Sequence, residues 1–324
     1  MKAALCKSLD GPEAIVIAEI PAPEAAHDEV LVRVAAVGLN FADTLLARGK
    51  YQFKPNLPFS PGAEIAGRVA ALGPGVTGVE VGDRVIAYMN WGGARELVAV
   101  KAAALTRVPD GVSDEMAAGV SVVYGTAMYG LRQRGRLEAG ETVVVTGAAG
   151  GAGQAAIEVA GAFGARVIAV VSTPEKAAIA KACGAGEVIL VPGADLKDAV
   201  KAMTDGRGAD VVYDCVGGAA SEPLIRALAW NGRFLVVGFA SGDIPKIPLN
   251  LLMLKGIEAS GVFWGEAVRR EPEGHAQAMR QVLDWIASGR LKPQVPTIYP
   301  LSDIAEAVAV LDRREAKGKI VVTL

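Results

Sequence analysis

The sequence predicts an α/β protein in which a doubly wound parallel sheet is joined to a mostly antiparallel, barrel-like β domain. Three observations carry that prediction. Between residues 142 and 237, β-branched runs alternate with helical segments, the grammar of parallel strands linked by helical crossovers. Before Ser113 the chain reads instead as short β-rich runs split by Gly/Pro turns, at antiparallel-barrel spacing. At 324 residues the chain exceeds one ordinary core, so two domains are expected.

In the first domain, residues 3–5, 14–20, 29–37, 65–72, 84–89 and 97–100 read as strands. Gly11-Pro12, Gly73-Pro74-Gly75 and Gly82-Asp83 punctuate them. One helix interrupts at 41–48, with Asn40 at its N-cap. Helices near 116–119, behind Ser113, and at 124–134 lead into the second domain. There, strands at 142–145, 166–171, 187–191, 210–215 and 233–237 alternate with helices at 153–163, 174–183, 196–203 and 219–229. Thr173 suits the N-cap ahead of Pro174, and Gly184 suits the stop. A short helix at 248–255, a sixth strand at 257–264, helices at 276–287 and 304–313 and a strand at 319–323 break the rhythm. This tail is expected to fold back, giving a first domain of 1–118 plus 258–324 and a second of 119–257.

The totals exclude whole classes. With 52% hydrophobic and 21% charged residues the chain is globular, and a net charge of −2 attracts neither nucleic acid nor an anionic membrane. No basic run or zinc-finger spacing marks a nucleic-acid reader. No apolar span suits a membrane crossing and the first residues do not read as a signal peptide, so a cytoplasmic protein is expected. The three cysteines (Cys6, Cys183, Cys215) and two histidines (His27, His275) lie far apart without metal-ligand spacing, so no zinc site is expected. Cys183 and Cys215 read as small core residues, and the histidines, in polar segments expected to be exposed, take no role.

The most specific motif is TVVVTGAAGGAGQAAIEVAGAFG at 142–164. Aligned on its last glycine it reads Ala148-x-Gly150-x-x-Gly153, an alanine-first variant of the dinucleotide fingerprint. Gly150 lets backbone approach a pyrophosphate, Gly153 lets helix pack on strand, and the turn through Ala149, Gly150, Gly151 and Ala152 presents helix N-terminal N–H groups. A tight βα turn that binds nothing is the plain alternative. The second strand, ARVIAVV, lacks the acid that an NAD enzyme sets on the ribose 2′-hydroxyl and continues Ser172-Thr173-Pro174-Glu175-Lys176. A hydroxyl and a lysine suit a 2′-phosphate, so Ser172 and Lys176 point to NADPH, although a helix cap and a solvated charge would leave the same residues. An inward Glu175 would spoil that site.

The stretches VGLNFADTLLARGKY (37–51), PGAEIAG (61–67), VGDRV (81–85), YGTA (124–127), GAAGGAG (147–153), GFASG (238–242), PLNLL (248–252), GVFWG (261–265) and YPLSDIAEAV (299–308) run the length of the chain. In this order they resemble the medium-chain dehydrogenase/reductase superfamily, in its zinc-free quinone oxidoreductase (zeta-crystallin-like) branch. The resemblance implies a GroES-like catalytic domain, a Rossmann domain for NADPH, reduction of a quinone or enone, and a homodimer through the edge strand at 257–264. Zinc-dependent relatives carry a cysteine near position 40 and Gly-His-Glu; here Asn40 and Gly62-Ala63-Glu64 stand.

By the same resemblance the nicotinamide lies in an interdomain cleft. Asn40, Asp43, Tyr51 and Tyr124 lie on one side, and Gly238, Phe239, Ala240, Phe263 and Trp264 on the other. Arg314 matches a phosphate-reaching position, and Tyr51 a proton-donating tyrosine of enoyl reductases. Each has a plainer reading: Asn40 as a cap, Asp43 on the helix dipole, Tyr124 as a half-buried aromatic, Phe263 and Trp264 as core, Glu64 as a structural partner and Arg314 as solvated surface. Enone or enoyl-thioester reduction, and an NADPH-holding protein with little activity, are the rival functions.

Overall fold

The computed structural model describes residues 1–295 and 297–324. They divide into two compact units, Met1–Val122 with Ala267–Leu324, and Val123–Glu266. The first unit opens with β1 (Lys2–Cys6), β2 (Ile15–Glu19), β3 (Glu29–Leu39), α1 (Phe41–Ala47), β4 (Glu64–Leu72), β5 (Arg84–Tyr88), β6 (Leu97–Lys101), β7 (Leu105–Arg107) and α2 (Asp114–Ala118). Next come α3 (Ser121–Met128), a π-helical turn at Tyr129–Arg134, β8 (Thr142–Thr146), α4 (Gly151–Ala162), β9 (Arg166–Val171), α5 (Pro174–Ala182), β10 (Glu187–Leu190) and α6 (Leu196–Ala202). The second unit continues with β11 (Ala209–Asp214), α7 (Ser221–Ala227), β12 (Leu228–Val236), α8 (Asn250–Lys255) and β13 (Glu258–Gly261), and ends within α9 (Trp264–Arg270). The chain returns through α10 (Pro272–Ala287), β14 (Thr297–Pro300), α11 (Ile304–Asp312) and β15 (Ile320–Thr323).

In the first unit, β1 and β2 form an antiparallel pair, and a larger sheet runs β14-β15-β3-β4-β5-β7 with β6 also on β3. β3 is shared along its length: Glu29–Arg33 pair with β6, and Ala36–Leu39 with β15. A register shift between Val34 and Ala36, where β3 meets β4, lies at this fork. The expected barrel is therefore an open path, because among the described residues no pairing joins β14 to β7. The inward face carries Val30, Val32, Val34, Val69, Val85 and Val322, closed over by Ile304 and Val308 of α11. Fully burying each such side chain contributes about 1.5–3 kcal/mol. β7 and β14 were not foreseen, since runs of three and four residues carry too little periodicity.

The second unit is a six-stranded parallel sheet of order β10-β9-β8-β11-β12-β13. β13 pairs with β12 from Arg233↔Glu258 to Val236↔Gly261, so this unit extends past the expected limit at 257. The strand expected over 257–264 is shorter, since helix α9 begins at Trp264. The helix expected over 124–134 changes winding after Met128. Among the described residues no helix is long and apolar enough to cross a membrane.

Candidate active site

In the second unit, Val143, Val144 and Val145 of β8 are fully buried, as a parallel strand covered on both faces requires. After Thr146 the chain turns through Gly147 at φ +60° and enters α4 with Gly150 at the N-cap. Gly153 is dictated by packing: a Cβ there would lie 2.3 Å from the Gly147 carbonyl oxygen and 2.6 Å from Ala148 Cα. Gly150 is not, because a Cβ there would meet only the Gly147 oxygen, at 3.4 Å. Its bare backbone leaves the first turn of α4 open to a pyrophosphate. Ala149 is buried beneath this cradle, tied by the Gln154 amide to its carbonyl at 2.7 Å, while Gly151 and Ala152 are partly exposed.

The winding direction reverses between β8 and β11, the place where open α/β sheets bind ligands at their carboxyl edge. Asp214, at the end of β11, accepts from Thr146 Oγ1 at 2.6 Å and Ser221 Oγ at 2.7 Å. It also accepts from the backbone of Val216 and Gly217 at 3.0 and 3.1 Å. Gly238, Phe239 and Ala240 follow β12 and are laced to this turn, the Gly238 N–H donating to the Asp214 carbonyl at 3.2 Å and Ala240 to Cys215 at 3.2 Å. At the end of β9, Thr173 Oγ1 accepts the Lys176 N–H as the helix cap, while Lys176 Nζ donates to Ser172 Oγ at 3.2 Å. Capping thus falls to Thr173 and leaves the Ser172–Lys176 pair as a separate cationic group, with Glu175 exposed.

In the first unit, a buried polar cluster forms where β3 runs into α1. Asp43 accepts the Asn40 N–H with one carboxylate oxygen and the Gly62 N–H with the other, both at 2.8 Å. Glu64, fully buried, accepts the Asn40 amide at 2.9 Å and the Val122 N–H at 2.8 Å. Lys319, just before β15, donates its ammonium to Glu64 Oε1 and to Asn40 Oδ1, the latter at 2.7 Å. Burial raises the Asp43 carboxyl to about 6 against the pull of its two backbone donors and Lys319. Tyr51 lies edge-on to Phe53, ring centres 6.1 Å apart, and burial together with the Asp43 charge raises its phenol. Tyr88 ends β5 opposite Glu64 and donates to Asn90 Oδ1 at 2.7 Å; burial raises its phenol too.

Some expected residues take other places. Tyr124 is buried rather than half-exposed, and its hydroxyl donates to Glu158 of α4 at 3.0 Å; burial raises its phenol, so it reads as structure. Trp264 starts a helix, is 6% exposed, and packs so closely on Gly125 that a Cβ there would lie 2.6 Å from its ring. It is core of the second unit, whereas Phe263 is 46% exposed. Arg314 is exposed just after α11, in the first unit. His275 is half-buried, contrary to expectation, and burial lowers its imidazole to about 4. Asp214, Tyr88 and Lys319 were missed: an acid closing the apolar run before Cys215 was a usable signal, but nothing in Lys-Gly-Lys marks Lys319.

A parallel-sheet unit with a glycine phosphate cradle and an antiparallel-sheet unit with a buried polar cluster define the dehydrogenase/reductase class of two-unit proteins. Residues 26–110 match the family model for an alcohol dehydrogenase GroES-like domain, and 151–288 that for a zinc-binding dehydrogenase. The chain is 38% identical over 324 residues to quinone oxidoreductase-like protein 2 of Rattus norvegicus, covering 100% of this chain and 92% of the rat protein. It superposes on Escherichia coli quinone oxidoreductase solved with NADPH with a TM-score of 0.91 at 30% identity, covering 100% of both chains. A mycobacterial protein, also solved with NADPH, gives 0.92 at 32% identity over 100% of both chains. The chain belongs to the quinone oxidoreductase family of medium-chain dehydrogenase/reductases. The zinc in the family model's description does not fit the residues here: Asn40 offers an amide, and the Glu64 carboxylate is held by the Lys319 ammonium.

Proposed function

We propose that the chain reduces quinones, or related conjugated carbonyl compounds, by NADPH-dependent hydride transfer without a metal. The observation that carries this reading is Lys319 bonded to Glu64 and Asn40, which leaves the first unit hydrogen-bond donors in place of a Lewis acid. Ser172 and Lys176 at the end of β9 support NADPH over NADH, as does the NADPH bound by the Escherichia coli and mycobacterial proteins. Bound NADPH would supply the hydride. The turn from Ala149 to Ala152 would hold its pyrophosphate, Ser172 and Lys176 its 2′-phosphate, and Gly238, Phe239 and Ala240 would border it at the sheet edge.

Hydride addition leaves negative charge on the acceptor oxygen, which needs a donor in place. Asn40 is committed, its amide on Glu64 and its oxygen on Lys319. Tyr51 is not: among the described residues its hydroxyl has no partner, whereas those of Tyr88 and Tyr124 are bonded. With its phenol raised it stays protonated at neutral pH and serves as the donor. A free tyrosine hydroxyl also favours a second reading, reduction of an enone or enoyl thioester, where a carbon must be protonated. We place the protein in the cytoplasm as a homodimer joined along the β13 edge.

The deciding experiment is NADPH oxidation over a panel of quinones, enones and enoyl thioesters, with wild type and Tyr51→Phe. Quinone turnover well above the others supports the leading reading. Turnover confined to enones or thioesters and lost in Tyr51→Phe replaces it with the second. No oxidation of NADPH by any acceptor leaves a cofactor-binding protein.

A further inference from the structure

Arg95 differs from the other arginines of the chain. Of the partly buried ones, Arg48, Arg84 and Arg233 are paired with Asp312, Asp114 and Glu141, and Arg134 donates to the Gly261 carbonyl. Arg95 is also partly buried, yet its Nε is sealed from solvent with no partner, and among the described residues no acceptor meets its guanidinium. The neighbouring acid does not serve: Glu96 accepts the Lys2 N–H at 2.8 Å, on the opposite side of the extended chain. Burial lowers its pKa, but a guanidinium keeps its proton in proteins. A half-buried guanidinium whose sealed Nε has no acceptor is poorly compensated, and a ligand oxyanion offers its two Nη groups, which are not sealed, the bidentate partner their planar fork fits.

The loop that carries it is held rigidly. The N–H groups of Gly92, Gly93 and Ala94 donate to the carbonyls of Ser60, Gly62 and Pro61 at 2.8, 2.8 and 2.9 Å. That strip is the one whose Gly62 N–H holds Asp43. Arg95 therefore rides on backbone laced to the Asn40–Asp43–Glu64 cluster, so the backbone part of the ordering cost has been met before any ligand arrives. We propose that Arg95 is an anion-recognition site of the first unit, which takes a sulfonate, carboxylate or phosphate group on the acceptor and selects anionic acceptors over neutral ones. This rests on the acceptor-reducing function above.

The test compares 1,4-naphthoquinone with 1,4-naphthoquinone-2-sulfonate on wild type and Arg95→Gln, so that the intrinsic reactivities cancel. The sulfonate should lose kcat/KM about ten- to hundredfold more than the uncharged quinone, the worth of charged hydrogen bonds. Equal losses on both, or none on either, overturn the proposal. Calorimetric binding of 2-naphthalenesulfonate, which cannot be reduced, gives a readout apart from turnover. Binding that weakens in Arg95→Gln supports the site even if no quinone is reduced, and equal binding to both proteins rejects it. Arg95→Lys, which keeps charge but not the fork, should restore part of the lost binding.

Discussion

Replacing Lys319 by methionine removes a charge from the interior while keeping the length of the side chain. The Lys319 and Glu64 side chains are 6% and 0% exposed, so solvent cannot take over the lost partner. Glu64 would keep only neutral donors, the Asn40 amide at 2.9 Å and the Val122 N–H at 2.8 Å, with the Asp43 carboxyl in the same cluster. Removing one member of a buried ion pair costs about 3–5 kcal/mol, against a total stability of about 5–15 kcal/mol. Lys319→Met should therefore lose about a fifth or more of the stability, if it folds at all. Glu64→Gln combined with Lys319→Met removes both charges and should recover most of the loss, a coupling on the order of 2–3 kcal/mol. Urea unfolding followed by circular dichroism at pH 7.5 measures each variant. A single variant within about 1 kcal/mol of wild type, or a double variant no more stable than the single, would refute the idea that the ammonium neutralises Glu64.

Other substitutions probe the remaining features. Gly153→Ala puts a methyl 2.3 Å from the Gly147 oxygen, so it should cost about 1–3 kcal/mol and abolish NADPH binding in a fluorescence titration; wild-type binding would contradict the packing role. Lys176→Ala should raise KM for NADPH far more than for NADH, and an equal rise would remove Lys176 from the phosphate site. Because burial raises Asp43 to about 6, the folded state takes up its proton more readily than the unfolded chain. Melting temperature should thus gain an increment as pH falls from 7.5 to 5.5, and Asp43→Asn should erase it; a pH-independent difference between the two proteins would show that Asp43 does not titrate there. Light scattering after size exclusion should give a dimer, and an Ala259→Pro change, which removes an N–H on the outward side of the outer strand β13, should shift it to monomer; a wild-type monomer would end the edge-pairing idea.

How much was legible depended on how local each determinant is. β8 announces itself because burial on both faces demands an unbroken Val-Val-Val run, and the glycines after it serve a turn within a few residues. β9 reads to its ends for the same reason. The first unit is harder, since β3 divides its length between two partners far away in sequence and the open path results from that fork. The site follows the same rule. Ser172 and Lys176 sit one helical turn apart and could be read together. Lys319 meets Asn40 across 279 positions and Glu64 across 255, which no periodicity reports. Trp264 went astray because a strand-like stretch of eight residues, with Glu258 and Ser260 among apolar ones, does not reveal where extended chain gives way to helix.

The two units solve the same difficulty, a buried carboxylate beside a candidate site, by different means. Asp214 is answered by four neutral donors, from Thr146, Val216, Gly217 and Ser221, two of them in the turn that follows it and one at the start of α7. That arrangement leaves the charge in place and spends it on geometry, since the carboxylate latches a glycine turn at φ +68° against the end of β8. Glu64 is answered by an ammonium, so its charge is cancelled where it stands. A cancelled carboxylate has little attraction left for a metal cation, and an ammonium bonded to Asn40 holds that amide in one orientation. The chemistry open to the first unit is then set by donors that remain unpaired, and among the described residues these include the Tyr51 hydroxyl beside the cluster and the Arg95 Nε on the loop laced to it.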